Sequence, residues 1–378
     1  MKENLQEKDR AFYDVILISR QHLSNPHLGI SRAVEQISQI LSEMDLSVCI
    51  IAEGDSETEV NISPNLTIIT VPSKRFRVKS MLLLGLPNPT SDWLLQIQGY
   101  LNQGRVAISP VVGLQSMVFR KTNLLNCTKI ITLYTPYSKH SIIGNLYFNL
   151  QKHSLKYADV IVGNSKTILA KFKLNESDGV VLIPNLSSVP SVSRSLNRLD
   201  ECDLVWIGTL TLRKGVDRLI RFLILNKGVK SVQVVWSRGK FSLLPLKILR
   251  NLENRGWCKL RNNISDEELS CIFTSTKALL STTRFESFGL TLIEAASHGR
   301  GTIGIRAPGI SETLPENTKG AVYFEKVSEI INYVQGKNFK ENTLDLGLSA
   351  KRYANSNYNK VVVSRLWSNL IFRREFNS

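Results

Sequence analysis

Short runs rich in valine and isoleucine alternate with longer amphipathic stretches along almost the whole chain. In the first half the strand-like runs are YDVILIS (13–19), SVCIIA (47–52), LTIITV (66–71), RVAIS (105–109), KIITLY (129–134), DVIVGN (159–164) and GVVLIPN (179–185). Helical patterns over 30–44 and 141–158 lie between them. The second half repeats the alternation with DLVWIGT (203–209), SVQVVWS (231–237), WCKLRN (257–262), ALLST (278–282) and GTIGIR (301–306), and with helical patterns over 214–226, 265–275 and 288–299. A chain that alternates in this way covers a parallel sheet with helices on both faces, so the predicted class is α/β and doubly wound.

A Ser-rich, proline-bearing stretch over 187–201 interrupts the pattern and reads as a connection between domains. The predicted organisation is a Rossmann-like domain over 1–190, a linker over 191–201, a second such domain over 202–358, and a terminal helical region over 359–378. The apolar stripe of that last helix, Val362, Leu366, Trp367, Leu370 and Ile371, is expected to pack back toward the first domain. In open α/β sheets ligands gather at the carboxyl ends of the strands. Two such domains facing a central cleft would place a site there.

Composition narrows the classes of function. The 378 residues are 43% hydrophobic and 21% charged, enough apolar material for two cores. No apolar run approaches the roughly 20 residues of a membrane-spanning helix. The opening MKENLQEKDRAFYDVILIS lacks a basic region and a small-residue cleavage site, so no signal peptide is expected. Cys49, Cys127, Cys202, Cys258 and Cys271 show no paired spacing, which fits reduced thiols and a cytoplasmic location. Neither they nor the five histidines have metal-ligand spacing, and no metal is expected. The 48 basic and 32 acidic residues leave a charge of +16, of which +5 falls in 1–195 and +11 in 196–378. Such a surface attracts anions: nucleic acid, acidic lipid or nucleotide phosphates. The basic residues are dispersed, with no aromatic RNA-binding motif or basic recognition helix, so nucleic acid is not an expected partner.

The stretch RFESFGLTLIEA (284–295) carries chemistry. It reads as a loop entering a helix near Phe288–Gly289. Amides at a helix start lack partners and sit at the positive end of its dipole, so they bind phosphate. Gly289 would let the backbone come close to a ligand. Glu286 falls just ahead of that end and Glu294 two turns into the helix. Carboxylates beside a diphosphate need a further reason, and sugar hydroxyls supply one, because a carboxylate accepts two hydrogen bonds from a diol.

These residues resemble the retaining family-4 (group 1) glycosyltransferases of the two-domain GT-B fold. The likeness lies in the glutamate–seven residues–glutamate element of FESFGLTLIEA, in LVWIGTLTLRKGVDRLI (204–220) with its glycine and Lys-Gly, and in the Gly-x-x-Glu loop of APGISETL (307–314). YADVIVGNS (157–165), VVLIPN (180–185) and LGISRAVEQI (28–37) are similar to further family elements. The resemblance implies sugar transfer from a nucleotide-diphosphate sugar with retention at the anomeric carbon, and no cofactor beyond that donor. The acceptor would be a glycan, a lipid-linked glycan or a small molecule, in cell-surface polysaccharide or glycolipid synthesis. It assigns catalytic roles to Glu286, on the donor sugar's hydroxyls, and to Lys214, against the charge that grows on the diphosphate. It gives Glu294 the ribose diol and the amides of Phe288, Gly289 and Leu290 the diphosphate. Gly208, Thr209 and Arg213 would complete the donor site, and Gly29 would admit the phosphates to the backbone of the first domain.

The sequence also departs from the family. Thr209 stands where an arginine is usual, with Arg213 or Arg284 as candidate replacements. The acceptor-side histidine is absent; Tyr134 and Thr135 occupy its place and His140 follows. Only Gly239 remains of a glycine-rich turn. Another GT-B nucleotide-sugar enzyme (an epimerase or a phosphorylase) and a degenerate member therefore stay open. His298-Gly299 reads as a helix stop with a favourable cation near the dipole, and Asp159 as a strand-orienting carboxylate. SKRFRVKSMLLLGLP (73–87) places four cations before an apolar patch, a candidate for peripheral contact with anionic membrane.

Overall fold

The computed structural model of the protein describes residues 13–19, 29–72, 91–110, 119, 127–134, 142–177, 179–186, 201–237 and 243–372. The chain forms two compact units, Met1–Pro184 with Val363–Ser378, and Asn185–Val362. The first unit thus closes at Pro184 rather than at 190, soon after its last paired strand. The terminal residues counted with it begin at 363 rather than 359. Most of the expected linker, and the whole of 73–87, lie outside the described residues.

In the N-terminal unit the strands are β1 (Tyr13–Ile18), β2 (Val48–Gly54), β3 (Thr58–Ser63), β4 (Leu66–Pro72), β5 (Gly104–Pro110), β6 (Thr128–Leu133), β7 (Val160–Gly163) and β8 (Val180–Leu182). They lie in the order β3-β4-β2-β1-β5-β6-β7-β8, and every neighbouring pair is parallel except β3 with β4. The edge strand β3, TEVNIS, is an addition to the sequence reading. All six of its residues are exposed, so it has no buried face whose alternation could announce it. Helices α1 (Gly29–Ser42), α2 (Ser91–Leu101), α3 (Ile142–Ser154) and α4 (Lys166–Phe172) accompany the sheet. Ile16, Ile18, Ile51, Trp93, Ile131 and Phe172 lie in its core. Asp159 accepts from the Lys129 amide at 2.8 Å and so ties the start of β7 to β6, as expected.

The C-terminal unit holds β9 (Cys202–Thr209), β10 (Val232–Ser237), β11 (Lys259–Asn262), β12 (Thr276–Ser281), β13 (Gly301–Ile305) and β14 (Ala321–Phe324). Their order is β11-β10-β9-β12-β13-β14, parallel throughout. Numbered by appearance within the unit, this is the 3-2-1-4-5-6 order of the Rossmann arrangement. The helices of this unit are α5 (Val216–Asn226), α6 (Leu243–Asn254), α7 (Asp266–Ser275), α8 (Leu290–Ser297), α9 (Ile310–Thr313), α10 (Val327–Gln335) and α11 (Phe339–Asn357); α12 (Lys360–Phe372) follows, and from Val363 it is counted with the first unit. β14, α6, α10 and α11 were not anticipated. α11 buries small residues, Gly347, Ala350 and Ala354, against the sheet, and such a face carries little apolar periodicity.

Alternation along β9 explains the two-sided core. Leu204 and Trp206 pack with α5 and α6 on one face, while Val205 packs with Phe273, Leu292 and Ile293 on the other. Leu219, Phe222 and Leu223 of α5 are fully enclosed and stabilise the unit by roughly 1.5–3 kcal/mol each. In α12 the buried stripe is Val363, Trp367, Leu370 and Ile371; Val362 and Leu366 are half-buried. Among the described residues no helix is long and apolar enough to cross a membrane. The order reverses between β9 and β12, which makes the carboxyl ends of that pair the expected ligand crevice.

Candidate active site

The loops leaving β9 and β12 are sewn to each other. The Arg284 amide and the Thr283 hydroxyl donate to the Arg213 carbonyl at 2.9 and 3.1 Å. Thr282 Oγ1 accepts from Trp206 Nε1 at 2.9 Å and lies 3.0 Å from the Gly215 carbonyl. Arg218 donates to the Thr283 carbonyl at 3.1 Å. Gly215 has φ +72°, and a Cβ there would sit 1.8 Å from the Thr282 carbonyl oxygen. Only glycine permits that approach.

This seam brings Lys214 and Glu286 together across 72 positions of sequence. Lys214 Nζ forms an ion pair with Glu286 Oε1, and the two side chains are 18% and 10% exposed. Arg213 Nη1 lies 3.5 Å from the other carboxylate oxygen and donates to the Phe285 carbonyl at 3.4 Å. The Glu286 carboxylate is therefore buried with a cation facing each oxygen, as a buried charge requires. Of the two candidates to replace the arginine absent at Thr209, Arg213 faces the site. Arg284 does not: it forks onto Asp217 with two contacts of 2.6 Å and donates to the Leu212 carbonyl. The guanidinium fork holds the Asp217 carboxyl below the usual range. Thr209 Oγ1 is 3.4 Å from Thr211 Oγ1, which in turn accepts from the Lys214 amide. At Gly208 a Cβ would come within 3.2 Å of the Trp206 ring and 3.5 Å of the Lys214 side chain. The missing side chain leaves the lysine room to lie there.

Gly289 caps α8 with φ +82° and offers no side-chain cap. At the start of α8 the Leu290 and Thr291 amides have no intrahelical acceptor, whereas the Leu292 amide donates to the Gly289 carbonyl at 2.9 Å. Phe288 is buried edge-on against Tyr358, ring centres 5.4 Å apart. Glu294 is 7% exposed, in the second turn of α8. The loop before α9 braces Glu286 from behind: the Glu286 amide donates to the Pro308 carbonyl at 3.1 Å, and Gly309 (φ +89°) passes so close that a Cβ would meet the Glu286 carbonyl oxygen at 1.8 Å. A pocket between these loops is lined by Trp206, Lys214, Thr282, Thr283, Glu286 and Thr291.

Nine of the residues singled out from sequence thus fall in one unit around one crevice. Gly29 lies in the other unit, as the first residue of α1. Trp206, Arg218, Thr282 and Thr283 escaped the sequence reading, since a clip between distant loops has no local signature; Gly215 was visible as the second half of Lys-Gly. At the end of α8 burial pushes the His298 pKa below the ordinary value, which works against the cation expected there. Its Nδ1–H donates to the Glu294 carbonyl at 2.8 Å, and Nε2 lies 2.6 Å from the Ser270 hydroxyl. Tyr134 is buried, and burial pushes its phenol up to about 12. Thr135, His140 and Gly239 lie outside the described residues. Among the described residues no acidic, histidine or cysteine cluster is arranged to hold a metal.

Residues 192–336, all within the C-terminal unit, match the family model described as glycosyl transferases group 1. The whole chain is similar in structure to sucrose-phosphate synthase from Thermosynechococcus elongatus (TM-score 0.76, 16% identity, 96% of this chain and 99% of that one). It is similar also to HepE from Anabaena, solved in complex with UDP and glucose (TM-score 0.72, 13% identity, 96% and 100%). A third likeness is to WaaG, a glycosyltransferase involved in lipopolysaccharide biosynthesis (TM-score 0.67, 13% identity, 94% and 99%). In sequence it is 21% identical over 230 residues to an uncharacterized 41.2 kDa protein in the cps region of Klebsiella pneumoniae; the match takes in 55% of this chain and 62% of that relative. The chain has the GT-B fold, and its residues 192–336 match the family model of the group 1 glycosyl transferases.

Proposed function

We propose that the protein transfers a sugar from a nucleotide-diphosphate sugar, with retention at the anomeric carbon, to a glycan, lipid-linked or small-molecule acceptor in cell-surface polysaccharide or glycolipid synthesis. The observation that carries this reading is the buried Lys214–Glu286 pair at the uncapped start of α8. Without donor the two charges satisfy each other. A diphosphate seated on the first-turn amides draws Lys214 toward itself, and the freed Glu286 carboxylate accepts hydrogen bonds from the sugar hydroxyls. Arg213 supplies the second cation, and Glu294 holds the ribose diol.

As the bond from the anomeric carbon to the phosphate oxygen breaks, negative charge grows on the leaving diphosphate. Amides and cations aimed at that charge stabilise the transition state more than the ground state. The acceptor oxygen bonds to the anomeric carbon on the face the diphosphate leaves, and its proton passes to the departing phosphate oxygen. Glu286 is taken up by the sugar hydroxyls, so this front-face route needs no carboxylate nucleophile. The cations and amides perform the charge neutralisation that a metal would otherwise provide. The cps-region relative and the UDP and glucose bound by HepE support the polysaccharide setting and the donor class.

The test is a thermal-shift panel of UDP, ADP and GDP and their glucose conjugates, because a ligand that binds the folded state raises its melting temperature. One nucleotide should raise it by several degrees in the wild type and much less in Lys214→Ala. A panel that moves nothing would sink the donor site. So would sugar transfer that survives Lys214→Ala, Glu286→Gln and Glu294→Ala alike.

A further inference from the structure

Behind the start of α8 stands Thr313, the last residue of α9 and 1% exposed. Its hydroxyl donates to the Phe288 carbonyl. The Gly309 carbonyl is also within reach at 2.9 Å, but already receives the Thr313 amide at 3.2 Å. A hydroxyl has one proton to give, and the Phe288 carbonyl, with no helix amide of its own to pair with, takes it. The Tyr358 hydroxyl in turn donates to the Thr313 carbonyl at 2.9 Å, while its ring meets Phe288 edge-on. Thr313 and Phe288 are therefore locked to each other and to the end of α11.

The consequence lies in the peptide plane. In a trans peptide the C=O and the following N–H point in opposite directions and cannot turn independently. Drawing the Phe288 carbonyl inward onto Thr313 turns the Gly289 N–H outward, away from the core. Among the described residues none accepts from that N–H. We propose that Thr313 is a positioning residue for anion recognition: its hydroxyl fixes the Phe288–Gly289 peptide so that the Gly289 amide is aimed at the diphosphate. This rests on the donor-site reading above but assigns a role to a buried side chain that touches no ligand. The α9 segment then serves twice, because Pro308 and Gly309 brace the Glu286 backbone while Thr313 orients the amide three residues later.

Binding of UDP, ADP and GDP to the wild type is measured first by calorimetry, and the tightest is compared with its own nucleoside, which lacks the diphosphate. Thr313→Val keeps the shape and removes the hydroxyl; Thr313→Ser keeps the hydroxyl. The valine variant should bind the nucleoside diphosphate about tenfold more weakly, as loss of one oriented donor implies, and the nucleoside as the wild type does. The serine variant should restore diphosphate binding. Equal binding of the diphosphate by wild type and valine variant overturns the inference, and so does equal loss for diphosphate and nucleoside, which marks a merely structural role. If the valine variant does not fold, Thr313→Ala is read by the same two comparisons. A wild type that binds none of the three diphosphates overturns the donor site itself, a result distinct from either.

Discussion

The strands β9 and β12 carry a lysine–carboxylate pair at each end, and the two pairs are built to different purposes. At the amino end Lys277 meets Asp203 at 2.6 Å; at the carboxyl end Lys214 meets Glu286. The Asp203 carboxylate is fully occupied, since it also accepts the Ser231 amide at 2.9 Å and hydroxyl at 3.0 Å. The N-terminal unit repeats this clip at the same register. Asp14 in β1 accepts the Ser47 amide and hydroxyl at 2.9 and 3.0 Å, with Arg105 of the neighbouring β5 at 3.5 Å. Here each carboxylate ties the strand it begins to the turn before the next one. The carboxyl-end pair has no such occupation. The second Glu286 oxygen faces Arg213 at 3.5 Å, and the group sits among glycines of positive φ, beside uncapped amides and a pocket. The same pairing thus ties strands together at one end of the sheet and lies at the proposed donor site at the other.

That contrast can be broken by experiment. The largest effect is expected at Lys214→Ala, which should lower kcat/KM for sugar transfer by about 10²–10³, the usual cost of losing a charge aimed at a transition state. Lys277→Ala should leave kcat/KM within about twofold, because Lys277 does no more than hold Asp203. Similar losses in both variants, measured side by side, would erase the distinction between the ends.

Gly215→Ala comes next. The methyl group would collide with the Thr282 carbonyl in a backbone region that L-residues avoid, so stability should fall by about 2–3 kcal/mol in denaturant titration, with activity falling alongside. An alanine variant of wild-type stability would mean that the two loops are not sewn together as described.

The smallest effect, and the sharpest for the amino end, is Asp203→Asn. Burial pushes the Asp203 carboxyl up, but the bonds from Lys277 and Ser231 outweigh it and hold the pKa below the ordinary value. A carboxyl depressed on folding contributes stability above the unfolded-state pKa, about 3.9. The contribution is lost as pH falls through the lower folded value. The asparagine variant should therefore be less stable than the wild type near neutrality, by about 1.5–3 kcal/mol, and the gap should close as acid is added below that point. Asp14→Asn should cost less, because its cation is farther away and 56% exposed. A gap that stays constant down to strongly acid pH would show that the clip does not work through charge.

Much of the scaffold could be read in advance. The β-branched runs that became β1, β2, β4 to β7 and β9, β10, β12 and β13 each bury residues such as Ile16, Ile51, Val205 and Leu280, and burial on both faces leaves a mark in the composition of a short segment. β3 and α11 left no such mark, one because its side chains are all exposed and the other because it packs through Gly347, Ala350 and Ala354. The residues of the proposed donor site were legible as types at a spacing, notably Glu286, Gly289 and Glu294 at the mouth of a helix. Their relations were not. Neither the pairing of Lys214 with Glu286 nor the choice of Arg213 over Arg284 could be seen, nor could the burial of His298 that lowers its pKa.

By itself, then, the sequence determined the alternation of strands and helices, the division into two units and the kinds of side chain offered at each strand end. Those features depend on hydrogen bonding and burial within a dozen neighbouring residues. Which charges meet, which carbonyl is turned inward and which amide outward was decided by strand order and loop closure, because those contacts join positions 72 and 25 residues apart. No local pattern records a distance that exists only after the sheet has formed.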